Sequence, residues 1–453
     1  MGTRIVFLQS LLEELRSHLF SIPDVEGAAF VLCGQSDQQS NEKLIAHAIV
    51  PIADEDYLRR EKYSLSIASP ALMRITKLAR YENLSVVFAH SHPEGIADFS
   101  AQDDREEQEL IPFLQSRVPG RIHGTVVLTS NSIAGRLYDP GRETVDAVVS
   151  VGRRFSIWPK ESPSIEVIHD RQVRAFGEDV QKHLQSLHVG VVGAGGTGSA
   201  VLEQLCRLGV GTLSIFDGDE LEETNVNRVY GSKKSDAGKF KVLIAKDHLS
   251  AIGLQTIIEA VPKHITSEEA ARKLRACDLV FGCTDKQLPR AILNQLSLQY
   301  CIPVIDLGVL IDSDLGQITS VIGRVTTLYP GESCLFCRGR ISPEAIRVEA
   351  LSDEERASQA KEGYAPELND PAPAVIAFTT AVASAAVAEL LHRLTGFMGA
   401  ERVSSEVLQF FDEGKIRTNR ADSREMCICA DTAIWGRGDE DPFLGMFWTT
   451  HTK

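Results

Sequence analysis

The feature that most limits the fold is an apolar run that ends in a cluster of glycines. His188–Val192 passes without a break into Gly193-Ala194-Gly195-Gly196-Thr197-Gly198-Ser199. A chain that turns so tightly from strand into helix needs residues without a Cβ. The N–H groups bared at the start of such a helix suit a phosphate. A second apolar run, Thr212–Phe216, follows at the spacing of a βαβ unit, and Leu279–Phe281 and Pro303–Leu307 continue the alternation. Strands alternating with helices imply a parallel sheet with helices on its faces. Taken alone, this turn also fits an NAD-dependent oxidoreductase, with Asp217 ending the second strand where an acid takes ribose hydroxyls.

A chain of 453 residues has room for two or three cores at about 150 residues each. Up to residue 157 helix is mixed with short apolar strands such as Ala28–Leu32, Leu84–Phe88 and Gly124–Leu128. Residues 158–167, with two prolines and polar neighbours, read as a linker. A second domain then spans 168–430, entered by a helix over about 170–186, and 431–453 reads as a weakly structured tail in which Phe443, Leu444, Phe447 and Trp448 are the docking candidates. Residues 339–373 read as a long polar excursion from the second domain. Forty-seven Lys and Arg against 62 Asp and Glu leave a net charge of −15, which argues against nucleic-acid binding and against a basic membrane-surface protein. The N-terminal stretch, with Glu13, Glu14 and Arg16 among its leucines, reads as an amphipathic helix and not a signal peptide. The small-residue run 374–391, with Glu389 inside it, reads as a buried helix and not a membrane span. Nine cysteines in so long a chain do not suggest a disulfide framework, so the expected compartment is the reducing cytoplasm.

In the first domain the informative string is Ala89-His90-Ser91-His92-Pro93, followed by Ser100 and Asp103. Two histidines one residue apart on an extended segment point to the same side. Ser100 reads as a helix N-cap, with Asp103 in the first turn. Two imidazoles and a carboxylate leave zinc an open position for water, which suits catalysis. The whole string resembles the JAB/MPN (JAMM) metalloprotease family, whose members cleave peptide or isopeptide bonds after ubiquitin-like proteins. The resemblance implies an α+β domain with His90, His92 and Asp103 on zinc, Glu26 as general acid and base, and Ser100 stabilising the oxyanion.

In the second domain the glycine turn is followed by Asp217-Gly218-Asp219, then Asn225-Val226-Asn227-Arg228, Gly238-Lys239-Phe240-Lys241 and Cys283-Thr284-Asp285. This ordered set resembles the ThiF/MoeB and ubiquitin-activating family, as does the preceding Asp170-Arg171-Gln172-Val173-Arg174. The resemblance implies a Rossmann-like α/β fold that adenylates the C-terminal carboxylate of a ubiquitin-like protein with ATP and Mg²⁺. Nucleotide would meet Gly193, Gly195, Gly196, Gly198, Asp217, Asp219, Asn225 and Asn227. Arg228 and Lys241 would offset the charge that develops on the phosphates. Asp285 would hold Mg²⁺, and Arg171 would reach across a homodimer interface.

Cys334-Leu335-Phe336-Cys337 and Cys427-Ile428-Cys429 form two pairs suited to a closed, structural tetrahedral zinc site. Similar domains build that zinc from two such pairs; here the second pair is tighter by one residue. Between 338 and 426 there is no cysteine to carry a thioester. The expectation is therefore adenylation with transfer to an acceptor elsewhere, a conjugating enzyme among the candidates. The combined reading is a cytoplasmic enzyme that trims or deconjugates a ubiquitin-like protein and activates its terminus. The alternatives are activation of a sulfur carrier or small peptide, and a non-catalytic ubiquitin-like-binding scaffold.

Overall fold

The computed structural model describes residues 2–36, 42–94, 96–139, 141–161, 163–349, 351, 355, 373–399, 402–446 and 448. The chain forms two compact units. The first holds residues 1–162 together with 299–301 and 433–441, and the second holds 163–298, 302–432 and 442–453.

The first unit begins with a strand. β1 (Arg4–Leu8) precedes α1 (Gln9–Leu19), so only the second half of the amphipathic stretch is helical. Ile5, Val6, Phe7 and Leu8 are all buried because β1 is interior to its sheet, and such strands read as continuous apolar runs. Further along come β2 (Ala28–Ser36), β3 (Lys43–Pro51), the hairpin of β4 (Tyr57–Glu61) and β5 (Ser64–Ile67), α2 (Ser69–Glu82), β6 (Ser85–Ser91) and α3 (Ala101–Arg117). The unit closes with β7 (His123–Leu128), β8 (Ile133–Asp139), β9 (Gly141–Thr144), β10 (Ala147–Val151) and β11 (Phe155–Pro159). Nine strands pair in the order β11-β10-β1-β3-β2-β6-β7-β8-β9. Alternation along β2 divides the core: Ala29, Val31 and Cys33 join Leu12, Leu15 and Leu19 of α1, while Ala28, Phe30 and Leu32 join Ala71, Ile75, Ala79, Ile111 and Leu114 of α2 and α3. Trp158 and Pro159, assigned above to the linker, pair with Val148 and Ala147 and extend the sheet.

Residues 433–441 do not form the loose tail expected from sequence. Gly438 bridges Gln35 in parallel fashion, the Trp435 carbonyl lies 2.7 Å from His47 Nδ1, and Arg437 donates to the Glu82 carbonyl at 2.9 Å. Gly34 makes room for this, since a Cβ there would meet the Arg437 backbone at 2.2 Å.

The second unit opens with two helices, α4 (Asp170–Phe176) and α5 (Glu178–Ser186), because Gly177 at φ +87° interrupts the single helix expected there. Next come β12 (His188–Val192), α6 (Gly196–Leu208), β13 (Thr212–Phe216), α7 (Lys241–Ala251), β14 (Ile257–Val261), α8 (Glu268–Lys273), β15 (Leu279–Gly282) and α9 (Gln287–Tyr300). The unit ends with β16 (Val304–Asp314), β17 (Gln317–Leu328), α10 (Pro343–Glu349), α11 (Ile376–Thr395), β18 (Glu406–Phe410) and β19 (Lys415–Asn419). The sheet order is β14-β13-β12-β15-β16-β17-β18-β19, parallel up to β16 and antiparallel after it. β12, β13 and β15 thus lie side by side with their carboxyl ends together, where a doubly wound sheet places its ligand. α11 is the buried small-residue helix; its Glu389 pairs with Arg402 at 2.7 Å. Among the described residues no helix is long and apolar enough to cross a membrane. Phe443 and Leu444 are buried, Phe443 under the guanidinium of Arg272 at 4.3 Å; Phe447 and most of the 339–373 excursion lie outside the described residues.

Candidate active sites

The first site is built where β6 ends. His90 faces Ala28 of β2 on one side and Val127 of β7 on the other, which buries it. His92, just past the strand, is held by its N–H donating to the Leu128 carbonyl at 2.8 Å. Asp103 arrives on the first turn of α3. Its N–H donates to Ser100 Oγ at 3.2 Å, and the Ser100 N–H donates back to Asp103 Oδ2 at 2.6 Å, a reciprocal cap that fixes the carboxylate. His90 Nε2 lies 3.2 Å from Oδ1 and His92 Nε2 lies 3.6 Å from Oδ2. Ligands on a tetrahedral zinc at bond lengths near 2.0–2.2 Å are separated by about 3.4 Å, so the triad already has the spacing of a metal site. Both ring nitrogens of His90 are buried without a hydrogen bond of good geometry, a costly state that a bound metal would relieve. Burial works to raise the Asp103 carboxyl, but its close polar pairing with the two histidines prevails and holds it well below the usual range. Asp103 in turn raises His92.

Glu26 enters from the residue before β2. Its N–H donates to the Glu61 carbonyl and its own carbonyl accepts from Arg60 Nε, each at 3.0 Å, so the β4–β5 hairpin frames it. Next door, the Gly27 N–H donates to Ser91 Oγ at 2.9 Å, tying Glu26 to the histidine strand; a Cβ on Gly27 would meet the Leu19 carbonyl oxygen at 2.2 Å. Burial pushes the Glu26 carboxyl up to about 7, with the His92 charge lowering it and Asp103 and Glu106 raising it. Sequence reasoning missed what anchors α3 beneath this site. Buried Glu107 accepts from Arg136 at 2.6 Å, from Thr125 at 2.7 Å and from Tyr138, and Arg136 stacks 3.8 Å from the Phe99 ring. These residues carry no local pattern that marks them.

The second site is the glycine turn between β12 and α6. Gly193 sits at φ +96°, and a Cβ there would lie 2.6 Å from the Cys283 carbonyl oxygen; one on Gly198 would lie 1.8 Å from the Gly193 carbonyl oxygen. The turn is therefore wedged against the end of β15. Asp217 is buried and braces it: Oδ2 accepts from the Ala194 N–H at 2.7 Å and Oδ1 from the Asp219 N–H at 2.8 Å. Each oxygen keeps a lone pair for a hydroxyl. Arg228 lies along Gly196, and its guanidinium donates to the Thr224 carbonyl at 2.6 Å and to Asn227 Oδ1 at 3.3 Å. Asn225 is buried and Asn227 exposed in the same turn, while Gly195 leaves open space over the loop. Lys241 starts α7 and pairs with Asp219 at 2.9 Å; His264 Nε2 is 3.5 Å from the same carboxylate. Burial resists the Asp219 charge, yet the Lys241 hydrogen bond and the charges of Lys241, His264 and Lys286 hold its carboxyl low. Asp285 is exposed three residues beyond β15, and Arg171 is exposed on α4. Arg290 and Arg324 were not foreseen. They clamp buried Asp306 at 3.1 and 2.7 Å, and Asp306 pairs with Gly282 at the end of β15.

The cysteines form a third centre. Cys334 Sγ lies 3.5 Å from Cys427 Sγ and Cys337 Sγ lies 3.6 Å from Cys429 Sγ, with all four sulfurs within 4.8 Å of one another. A disulfide needs about 2.05 Å, whereas tetrahedral Zn–S bonds of 2.3 Å separate sulfurs by about 3.8 Å. The cage has thiolate dimensions. Hydrogen bonding from Cys334 lowers Cys429, while the same hydrogen bond and burial raise Cys334. Burial pushes Cys33, Cys206, Cys283 and Cys301 upward, Cys301 to about 12, so none of these four is an activated nucleophile.

The family model described as ThiF family matches residues 169–429, more than half of the chain. The chain belongs to the ThiF family. Residues 8–138 match a second model, that of prokaryotic homologs of the JAB domain. The chain resembles the sulfur carrier protein adenylyltransferase of Thermus thermophilus, with 33% identity over 142 residues, 31% of this chain and 52% of that protein. It also resembles protein HesA of Nostoc, with 32% identity over 161 residues, 36% of this chain and 62% of that protein. The molybdopterin-synthase adenylyltransferase of Escherichia coli is 33% identical over 178 residues, 39% of this chain and 69% of that protein. The chain thus spans about half to two thirds of the length of these relatives. Among solved structures, Escherichia coli MccB with ATP covers 60% of this chain and 76% of its own at 18% identity and a TM-score of 0.46. In this ThiF member the glycine turn, the Asp217 brace and the Lys241–Asp219 pair meet at the carboxyl edge of the sheet.

Proposed function

We propose that this protein is a bifunctional enzyme of a ubiquitin-like pathway, a zinc-dependent peptidase or isopeptidase joined to an ATP- and Mg²⁺-dependent adenylyltransferase. The observation that carries the proposal is the pairing, in one chain, of the His90–His92–Asp103 triad beside buried Glu26 with a ThiF glycine turn along which Arg228 lies and whose Asp217 brace leads to the Lys241–Asp219 pair. Zinc held by His90, His92 and Asp103 would supply an acidic water and polarise the scissile carbonyl. Glu26 would hold the proton taken from that water and deliver it to the leaving amine, a task suited to a carboxyl near neutrality. Ser100 accepts from the Asp103 N–H, which leaves its O–H free to donate to the oxyanion.

At the second site Gly193, Gly195, Gly196 and Gly198 would admit the phosphates to the α6 N-terminus, and Asp217 and Asp219 would take the ribose. The substrate carboxylate attacks the α-phosphorus, a bond to pyrophosphate breaks, and Arg228, Lys241, Asn225 and Asn227 offset the charge that moves onto the leaving group. Asp285 would hold Mg²⁺. Arg171 would act across a homodimer: α4 buries no residue of its own, and Val167 and Ile168 before it are 90% and 65% exposed, as expected for a segment that packs on a second copy. The Cys334–Cys337–Cys427–Cys429 cage would hold structural zinc.

A second reading differs only in substrate. The absence of any cysteine from 338 to 426 favours a sulfur carrier or peptide handed on as the adenylate, without a thioester on the enzyme. ATP–pyrophosphate exchange driven by ubiquitin-like proteins, sulfur carriers and short peptides with free C-termini tests both. Exchange with one class and not the others identifies the substrate; no exchange with any of them rejects adenylation.

A further inference from the structure

The adenylation reading puts the Lys241 ammonium on the phosphates, yet that ammonium is already engaged. Nζ donates to Asp219 Oδ2 at 2.9 Å, and the lysine side chain is only 11% exposed. Asp219 cannot follow the lysine, because its backbone is held at both ends. Its N–H donates to Asp217 Oδ1 at 2.8 Å and its carbonyl accepts from the Lys241 N–H at 3.0 Å. Moving Nζ to a phosphate therefore leaves a fixed carboxylate facing the negative charge of the triphosphate, a repulsion that opposes binding.

A second donor stands at the other oxygen. His264 Nε2 lies 3.5 Å from Asp219 Oδ1. That nitrogen carries a proton in the charged ring and in one neutral tautomer. The ring rests on Gly218: a Cβ there would lie 2.6 Å from His264 Cδ2, so glycine is what lets the imidazole reach the Asp217–Asp219 turn. The segment that carries the histidine is fixed. The Lys263 N–H donates to the Val261 carbonyl at 2.8 Å, and the Ser267 N–H donates to the His264 carbonyl at 3.1 Å where Ser267 caps α8. Lys286 acts on the same carboxylate by charge.

We infer that His264 is a positioning residue for adenylation, which takes over Asp219 when ATP draws Lys241 onto the phosphates. The inference deepens the adenylation reading and rests on it. No covalent bond changes in the hand-over. Lys241 Nζ exchanges Oδ2 for a phosphate oxygen, and the His264 Nε2–H closes on Oδ1. The carboxylate keeps a donor throughout and stays in place for the ribose. Without the imidazole, Lys241 stays with Asp219 and its pull on the triphosphate weakens.

The test measures ATP and AMP affinity by titration calorimetry in the presence of Mg²⁺. It uses the full-length chain and its His264→Ala, His264→Gln, Asp219→Asn and doubly substituted His264→Ala/Asp219→Asn variants. The two nucleotides share base and ribose, so the preference for ATP reports the outer phosphates. His264→Ala should cut that preference about tenfold, the worth of one charge-assisted hydrogen bond, and change AMP affinity by less than about twofold. His264→Gln, whose amide can donate in place of Nε2–H, should restore it. In Asp219→Asn there is no charge to hand over, so adding His264→Ala should have no further effect. An unchanged preference in His264→Ala, an equal loss for both nucleotides, no restoration by glutamine, or additive effects in the double variant each overturn the inference. A parent chain that binds no ATP rejects the adenylation reading, whereas a parent that binds ATP and is matched by His264→Ala rejects only the role of His264.

Discussion

Glu26 separates the chemistry of the first site from its architecture. Among the described residues its hydrogen bonds to Glu61 and Arg60 are made through its backbone, so Glu26→Gln should leave zinc content unchanged while slowing tail cleavage by about 10²–10⁴, the share general acid–base catalysis contributes. Zinc analysis beside a cleavage assay checks this. Loss of zinc in the variant would make Glu26 a ligand or a fold determinant instead. The raised carboxyl also sets a sign for stability. A carboxyl that is easier to protonate when folded favours the native state at low pH, and that advantage disappears as pH rises through the folded value of about 7. Metal-stripped Glu26→Gln should therefore match stripped parent at pH 4 and exceed it at pH 8, by at most about 3 kcal/mol for a shift of this size. Urea titrations at the two pH values decide it; an equal gap at both would mean the carboxyl is not perturbed.

At the scale of elements, the first turn of α3 both starts a helix and carries Asp103, the carboxylate of the proposed zinc site. Ser100→Ala removes one side of the reciprocal cap and should cost about 1 kcal/mol of stability. Because the cap also orients Asp103, the same change should weaken zinc binding about 10–100-fold, as loss of an outer-shell partner does. Competition with a zinc chelator measures it, and unchanged affinity would show that the two histidines hold Asp103 in place without the cap. The grouping of His90, His92 and Asp103 was legible in the sequence because they and Ser100 lie within fourteen residues and each has a local structural signature. The parallel sheet was legible for the same reason: β12, β13 and β15 carry apolar runs of strand length between helices. The Glu107–Arg136–Tyr138 anchor was not legible, since its members sit about thirty residues apart and look like ordinary surface charge until β8 lies beside α3. β1 was misread because its apolar run continues into the leucines of α1. The single helix expected over 170–186 ignored Gly177, whose positive φ makes two helices of it.

For the whole molecule, the cysteine cage joins residues some ninety positions apart, and in the second unit it closes the chain between β17 and the segment after β19. Cys429→Ser should abolish binding of one of two zinc ions per chain and lower the unfolding temperature of the ThiF unit. Retention of two zinc ions would contradict the cage. The loose tail expected after 430 instead divides, with 433–441 packed in the JAB-like unit and Phe443 in the ThiF unit. Sequence did not reveal this because Gly436 and Gly438, which resemble linker residues, are there to let backbone approach backbone.

The central claim is that both sites serve one polypeptide terminus, and its most direct test is a two-substrate pyrophosphate exchange. A ubiquitin-like protein is supplied either ending in Gly-Gly or carrying several further residues, to parent chain and to Glu26→Gln. The account predicts that the parent exchanges with both forms and the variant only with the pre-trimmed one. Equal exchange by the variant with the extended form, or failure of the parent to act on it while accepting the trimmed form, would contradict the account.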